Sequence, residues 1–119
     1  MIEIKLYKNG FEIMGHSDPK TCGEVSILAW ACANTMVCVD ENSPYYTSAT
    51  DDDESKHNDG YTYMTFDYEN KFARTIYADY RHNVKQWAAA QWPVTDVQIK
   101  ELDEHLMVNH FPAVTYACT

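Results

Sequence analysis

A histidine and a cysteine lie close together near the start of the chain. His16 follows Gly15, and five residues separate His16 from Cys22. A cysteine is a strong nucleophile only as a thiolate, and a nearby imidazole or the N-terminus of a helix favours that form. The pair therefore supplies the two groups that nucleophilic catalysis by a thiol requires, with Cys22 as the candidate nucleophile and His16 as the candidate general base.

Three residues around the pair are candidates for supporting roles. Gly23 follows Cys22, and the N–H groups of both residues are candidate oxyanion donors, because the first amides of a helix have no partner within it. Ser26 lies one helical turn after Cys22, so its hydroxyl either assists the thiol or substrate, or bonds to the preceding turn of its own helix. Asp18 either orients the imidazole or is a solvated loop carboxylate.

A β-hairpin is predicted to carry His16. Ile2, Ile4 and Leu6 alternate with polar residues, and Asn9-Gly10 is typical of a type I′ turn, after which the alternation resumes. Residues 2–16 are thus two antiparallel strands, with His16 at or just past the end of the second.

A helix is predicted to carry Cys22, with two possible starts. Thr21 and Glu24 fit a capping box, which would make Cys22 the first helical residue. Alternatively, Asp18 caps a helix that begins at the following proline, which places Cys22 further into the first turn. The core-facing series at helical spacing is Val25, Leu28, Ala29, Cys32, Met36 and Val39.

The remaining elements complete a small α+β domain. Residues 40–60 are acidic and show no periodicity, which predicts an exposed loop. A third strand follows at 61–66, a helix at about 70–91 and a fourth strand from Val94. The order ββαβαβ predicts a four-stranded antiparallel or mixed sheet with two helices on one face. Residues 1–99 form this domain, and 100–119 are a C-terminal extension of unknown role that includes a predicted short helix.

The composition excludes several classes of function. A net charge of −9 argues against direct binding to nucleic acid. The sequence contains no apolar run of about 18 residues, which is the length that a membrane span needs, and no signal peptide is recognised. We therefore expect a cytoplasmic protein. The spacing of the four cysteines does not match a zinc site, and we expect reduced thiols, no metal and no cofactor. The acidic run 51–54 is interpreted as a solvated loop, an attractor of basic substrates or a mimic of a nucleic-acid backbone.

The segment from Gly15 to Leu28 resembles the core motif of the ribosomal-processing cysteine proteases of bacteria and their phages. Gly15 and His16 match the first part of that motif, and a second part is matched by Cys22, Val25, Ser26 and Leu28. The segments 59–68 and 85–99 are similar to the strand that opens with glycine and to the closing helix–aromatic-Pro–strand pattern of the family. The loop between His16 and Cys22 is shorter than in the family, and Ser17 replaces a small alanine.

The resemblance implies a phage-encoded cysteine endopeptidase that forms a homodimer and needs no cofactor. Its expected substrate is a protein, either a ribosomal protein that loses an N-terminal extension or a phage capsid or scaffold protein. The alternative is an inactive homologue that acts as an acidic, phage-encoded inhibitor of a host nucleic-acid-binding protein, because the loop is short and the charge is −9.

Overall fold

The structure is a computed structural model that describes residues 1–48, 53, 55, 60–91 and 96–107. Within these residues the chain forms five strands and two helices. In chain order the elements are β1 (Ile2–Tyr7), β2 (Gly10–Gly15), α1 (Pro19–Met36), β3 (Tyr45–Thr47), β4 (Tyr61–Thr65), α2 (Lys71–Ala90) and β5 (Val97–Glu101).

The strands form one mixed sheet in the order β3-β4-β2-β1-β5. β5 runs parallel to β1, and the other neighbours are antiparallel. The predicted α+β class and the predicted hairpin, β4, α2 and last strand are confirmed. The predicted strand count is wrong, because the segment interpreted as an exposed loop contains β3, in which Tyr45 and Tyr46 are buried.

The hairpin turn lies one residue earlier than Asn9-Gly10. Tyr7 pairs with Gly10, so Lys8 and Asn9 form the turn. A type I′ turn needs positive φ at both turn residues, and among the described residues only glycines have positive φ. Gly10 is required for a different reason: a Cβ at this position would overlap the Met64 carbonyl of the neighbouring strand.

Both helices pack on the same face of the sheet. Val25, Ala29, Cys32 and Met36 of α1 are buried in one core cluster with apolar side chains of α2 and of β1, β2 and β4, as the helical spacing predicted. Burial of this apolar surface is the main favourable free-energy term that fixes the helices on the sheet. A smaller cluster on another part of the sheet contains Tyr46, Tyr63 and Leu106.

The segment after β5 runs along the hairpin and is not a helix between residues 102 and 107. The N–H of Leu102 donates to the carbonyl of Leu6, and the Asn9 side chain accepts the Leu106 N–H at 2.7 Å. β5 itself extends to Glu101, so the predicted domain boundary at 99 lies inside a strand. Residues 108–119 and most of the acidic run 51–54 lie outside the described residues.

Candidate active site

The end of β2 places His16 next to the start of β4. The Gly15 N–H donates to the Gly60 carbonyl at 2.8 Å, which joins the two strand ends. A Cβ at Gly60 would lie 2.7 Å from His16 Nε2, so the imidazole occupies the space that a side chain at position 60 would need. Gly60 also has a φ of 58°, in the left-handed region that favours glycine. The imidazole therefore rests on a backbone position where glycine is required.

Cys22 lies in the first turn of α1 because Asp18 caps the helix. The Asp18 carboxylate accepts the Thr21 N–H at 2.9 Å and the Thr21 hydroxyl at 2.8 Å, and Pro19 is the first helical residue. Of the two predicted starts, the one at Asp18 is correct and the capping box of Thr21 with Glu24 does not form. The thiol of Cys22, the fourth helical residue, thus lies near the positive end of the helix dipole.

The sulfur of Cys22 has two hydrogen-bond partners in the described residues, and both belong to the backbone of Ser17. The Ser17 N–H donates to Sγ at 3.2 Å, and the thiol donates to the Ser17 carbonyl at 3.4 Å. The thiol is part-buried, and the His16 imidazole is not bonded to it. His16 and Cys22 therefore flank the same short backbone segment without forming a direct hydrogen bond.

The predicted oxyanion donors are already used within α1. The Cys22 N–H donates to the Asp18 carbonyl at 2.9 Å, and helical geometry directs the Gly23 N–H to the Pro19 carbonyl. Both amides have acceptors within α1 because the helix begins three residues before Cys22, and a role for Gly23 in oxyanion binding stays a prediction. The amide that does reach the thiol is that of Ser17.

The two other predicted site residues have different surroundings. Ser26 is exposed on α1, one turn after Cys22 and on the same side of the helix. Asp18 is fully engaged as the helix cap and receives a third bond from the Ser17 hydroxyl at 3.4 Å, so it does not orient His16. These bonds, led by the Thr21 N–H, lower the pKa of the Asp18 carboxyl.

A contact between the two helices anchors the first turns of α1. The indole N–H of Trp87 in α2 donates to the Glu24 carboxylate at 2.7 Å, in a part-buried position. Glu24 follows Cys22 by two residues, so this bond fixes the stretch of helix that carries the thiol. Sequence patterns assigned Glu24 to a capping box and gave no signal for a partner 63 residues away.

Among the described residues, the other cysteines do not form a second catalytic site, and no metal site is found. Cys32 is a free thiol buried in the core. Cys38 is disulfide-bonded, contrary to the expectation of reduced thiols. No group of three potential metal ligands occurs among the described residues. Neither described helix has the length and apolar character that crossing a membrane requires.

The fold of the chain is similar to that of solved structures, although its sequence matches no known family. No protein-family model matches the sequence, and no curated protein matches it. The chain is similar to the essential ribosomal processing protease Prp from S. aureus in complex with a covalently linked product peptide, with a TM-score of 0.67 and 14% identity over 86% of this chain and 100% of that one. The same protease solved with a substrate peptide gives a TM-score of 0.67 at 12% identity, with the same coverage. The chain has the fold of this protease. At such low identity the similarity establishes the fold alone.

Two site features were missed by sequence reasoning. The contact of the Ser17 amide with the thiol has no side-chain signature, because it depends on the path of the backbone between β2 and α1. Gly60 had a weak signal, since a glycine that directly precedes a strand is typical of a close approach between backbone segments.

Proposed function

We propose that the protein is a cysteine endopeptidase with Cys22 as nucleophile and His16 as general base. The observation that carries this proposal is the position of the thiol. Cys22 lies in the first turn of α1, accepts a backbone N–H and adjoins the strand end that presents His16, in a fold shared with a protease. Hydrogen bonds between catalytic groups are often formed only when substrate is present, so the lack of a direct bond between His16 and the Cys22 thiol in the free protein is compatible with this role.

The proposed reaction is acyl transfer. The Cys22 thiol gives its proton to the His16 imidazole, and the sulfur attacks the carbonyl carbon of a peptide bond. The imidazolium then protonates the departing amine, and water releases the acyl group from the sulfur. The Ser17 N–H already donates to Sγ and is thereby next to the attacked carbon. We assign it as an oxyanion donor in place of the Gly23 amide.

The substrate in this proposal is a protein from which an N-terminal extension is removed. The two S. aureus structures were solved with a substrate peptide and with a covalently linked product peptide, which supports a peptide substrate for this site. A ribosomal protein and a phage structural protein remain the two candidate classes. A homodimeric assembly and a cytoplasmic location belong to the same proposal, and sedimentation equilibrium tests the first of these.

A peptide library digested by the protein and read by mass spectrometry tests the activity. We expect cleavage by the parent protein and none by Cys22→Ala or His16→Ala, each checked for native circular dichroism and cooperative unfolding. Cys32→Ala is the matched control, because it removes the other described free thiol and should leave cleavage intact. Cleavage that persists in Cys22→Ala would contradict the assignment.

One observation favours the second candidate, an inactive homologue that binds a partner through acidic surface. The Cys22 thiol is bonded to backbone on both sides and has no imidazole partner in the described residues. A binding protein would keep its affinity for the partner in Cys22→Ala and would lose it when the carboxylates of 51–54 are converted to amides. A protease would lose cleavage in Cys22→Ala and would keep it when those carboxylates are converted.

A further inference from the structure

The face of the sheet opposite the two helices, here called the helix-free face, carries two buried tyrosines. Tyr46 of β3 and Tyr63 of β4 are paired on this face, and they are only 3% and 2% exposed. In the part of the chain that the structure describes, the apolar side chains that pack against them are those of Tyr7, Tyr61 and Leu106. Two of these belong to the sheet itself, so a single leucine lies over the rings. Each tyrosine buries about 150–250 Å², which is more than one leucine covers, so the rings need a further cover.

The C-terminal segment 108–119 is long enough and apolar enough to supply this cover. Leu106 brings the chain onto the helix-free face, and the segment follows directly after Met107. An extended chain of this length reaches about 40 Å, whereas β2 and the edge strand β3 are about 10 Å apart. The segment contains no Asp, Glu, Lys or Arg. The acidic run 51–54 would instead set carboxylates against aromatic rings, which is unfavourable.

The described end of the chain also lies close to the end of α1. The ring of His105 contacts the ring of Tyr68 edge-on, with centroids 5.5 Å apart. Two residues after Tyr68, the Asn70 side chain donates to the carbonyl of Val39 at 2.8 Å. Val39 follows Cys38, which is exposed just after α1. A segment that begins at residue 108 therefore starts within reach of Cys38.

The cysteines indicate where the segment is fastened. The chain has four of them, Cys22, Cys32, Cys38 and Cys118. Cys22 and Cys32 are free thiols, whereas Cys38 is disulfide-bonded. Within one chain, Cys118 is the remaining candidate for the partner of Cys38. Because Cys118 is the second-last residue, a bond to it would hold the far end of the segment.

We propose that residues 108–119 cover the helix-free face over Tyr46 and Tyr63, and that a disulfide between Cys38 and Cys118 fastens them there. Formation of the bond removes one proton and one electron from each thiol. A small-molecule disulfide such as oxidised glutathione takes up both electrons and both protons and is split into two thiols. In a reducing compartment the reaction runs in the opposite direction, and apolar contacts alone then hold the segment. The proposal is independent of peptidase activity.

Peptide mapping of the full chain without reductant tests the bond. The protein is first exposed to oxidised glutathione, and its free thiols are then alkylated under denaturing conditions. We expect digestion to yield one pair of peptides joined through Cys38 and Cys118, with Cys22 and Cys32 alkylated. Dithiothreitol should separate the pair. Alkylation of all four cysteines, or a disulfide-linked dimer, would overturn the assignment of the bond.

Hydroxyl-radical footprinting of the full chain in dithiothreitol, read by mass spectrometry, tests the cover. In the parent, the oxidation rates of Tyr46, Tyr63 and Tyr68 should follow their exposed fractions of 3%, 2% and 36%. The double variant Val114→Asp/Tyr116→Asp places two carboxylates in the segment, and burial of a carboxylate against aromatic rings is strongly unfavourable. We expect this variant to lose the protection of Tyr46 and Tyr63, so that both are oxidised at a rate close to that of Tyr68.

Two controls accompany the charged-segment variant. Tyr77 is buried on the helix side and should stay protected in it, which shows that the domain remains folded. The double variant Ile27→Asp/Trp30→Asp adds the same charge at exposed positions of α1 and should leave Tyr46 and Tyr63 protected. Protection that persists in the charged-segment variant would overturn the proposal, because another segment would cover the face. Protection that is lost when the parent is diluted would overturn it too, because the cover would be a second copy of the chain.

Discussion

The sulfur of Cys22 lies between the N–H and the carbonyl of a single residue, Ser17. The two contacts have opposite consequences for chemistry at the thiol. The N–H stabilises a thiolate, whereas the carbonyl holds the proton of the neutral thiol and would face a negative sulfur after deprotonation. Activation of Cys22 therefore requires the thiol to leave the Ser17 carbonyl while it keeps the Ser17 N–H. The adjoining His16 is the group that could receive the proton.

The two described free thiols should differ strongly in reactivity. Cys22 is half-buried, whereas Cys32 is 6% exposed and its pKa is raised to about 12, so at pH 8 only about one part in ten thousand of Cys32 is thiolate. We expect iodoacetamide to label Cys22 at least about a hundred times faster than Cys32, as measured by mass spectrometry of timed samples. Comparable rates in the folded protein would show that Cys32 is more accessible than the structure indicates.

Loss of the bond between Trp87 and Glu24 should destabilise the helix pair. Trp87→Phe removes a donor to a part-buried carboxylate, which costs about 1–3 kcal/mol in the free energy of unfolding. Urea denaturation measures this change. Trp30→Phe is the control, because Trp30 is 49% exposed on α1 and its replacement should change stability by less than about 0.5 kcal/mol. Equal losses in the two variants would argue against a specific role for the Glu24 contact.

Replacement by alanine should lower the stability of the protein at Gly60 and raise it at Gly23. At Gly60 a Cβ would lie 2.5 Å from the Gly15 carbonyl oxygen and 2.7 Å from His16 Nε2, at a φ of 58°, so Gly60→Ala should cost about 1–2 kcal/mol or more and displace the imidazole. Gly23 lies within α1 with nothing within 4 Å of its Cβ position, so Gly23→Ala should stabilise by about 0.5–1 kcal/mol. Urea denaturation measures both, and histidine NMR shifts report the imidazole. An unperturbed His16 signal in Gly60→Ala would contradict the packing.

Local sequence patterns predicted the elements that carry the site, and tertiary contacts decided its details. The alternation in β1 and β2 and the helical spacing from Val25 to Met36 indicated the hairpin and α1, because one face of each element must be apolar. The start of α1 could not be chosen from sequence, since both Asp18-Pro19 and Thr21 with Glu24 are good capping patterns. The structure selects Asp18, and Glu24 instead binds Trp87, a contact between residues 63 positions apart.

The short strand β3 was missed for a related reason. Tyr45 and Tyr46 are adjacent buried residues in a polar stretch, and they lie on opposite faces of the sheet. A three-residue strand of this kind has no detectable period of two. Its position is fixed by pairing with β4, where Tyr45 lies opposite Met64.

Removal of the hydroxyl should change the stability of the protein differently at Tyr77 and at Tyr80, two tyrosines of α2. The Tyr77 hydroxyl contacts the carbonyls of Tyr7 and Gly10, so Tyr77→Phe should cost about 1–2 kcal/mol in the free energy of unfolding. The Tyr80 hydroxyl is buried without a partner, so Tyr80→Phe should leave stability unchanged or raise it by up to about 1 kcal/mol. Chemical denaturation of the two variants measures the difference. A large loss in Tyr80→Phe would mean that this hydroxyl already has a partner in the free protein.

The contribution of the Asp18 cap to the free energy of unfolding should decrease in acid. In the variant Asp18→Asn this pH-dependent contribution should be absent. The Thr21 N–H and hydroxyl lower the pKa of Asp18 in the folded protein, so its ionised form stabilises the fold fully above the ordinary carboxyl range. This contribution is lost as the pH falls through the lowered pKa. Asp18→Asn keeps an oxygen that can accept the Thr21 N–H but does not titrate there.

The stability difference between the parent and Asp18→Asn should therefore be largest near neutral pH and should disappear in acid. Glu3 and Glu101 also have lowered pKa values, through bonds to Lys100 and Arg81, so the parent protein alone will lose stability in acid for several reasons. Subtracting the curve of Asp18→Asn isolates the contribution of Asp18. Urea midpoints measured for both proteins from about pH 7 down to about pH 2 give this difference. A difference that does not change with pH would show that the charge of Asp18 contributes nothing to the cap beyond its geometry.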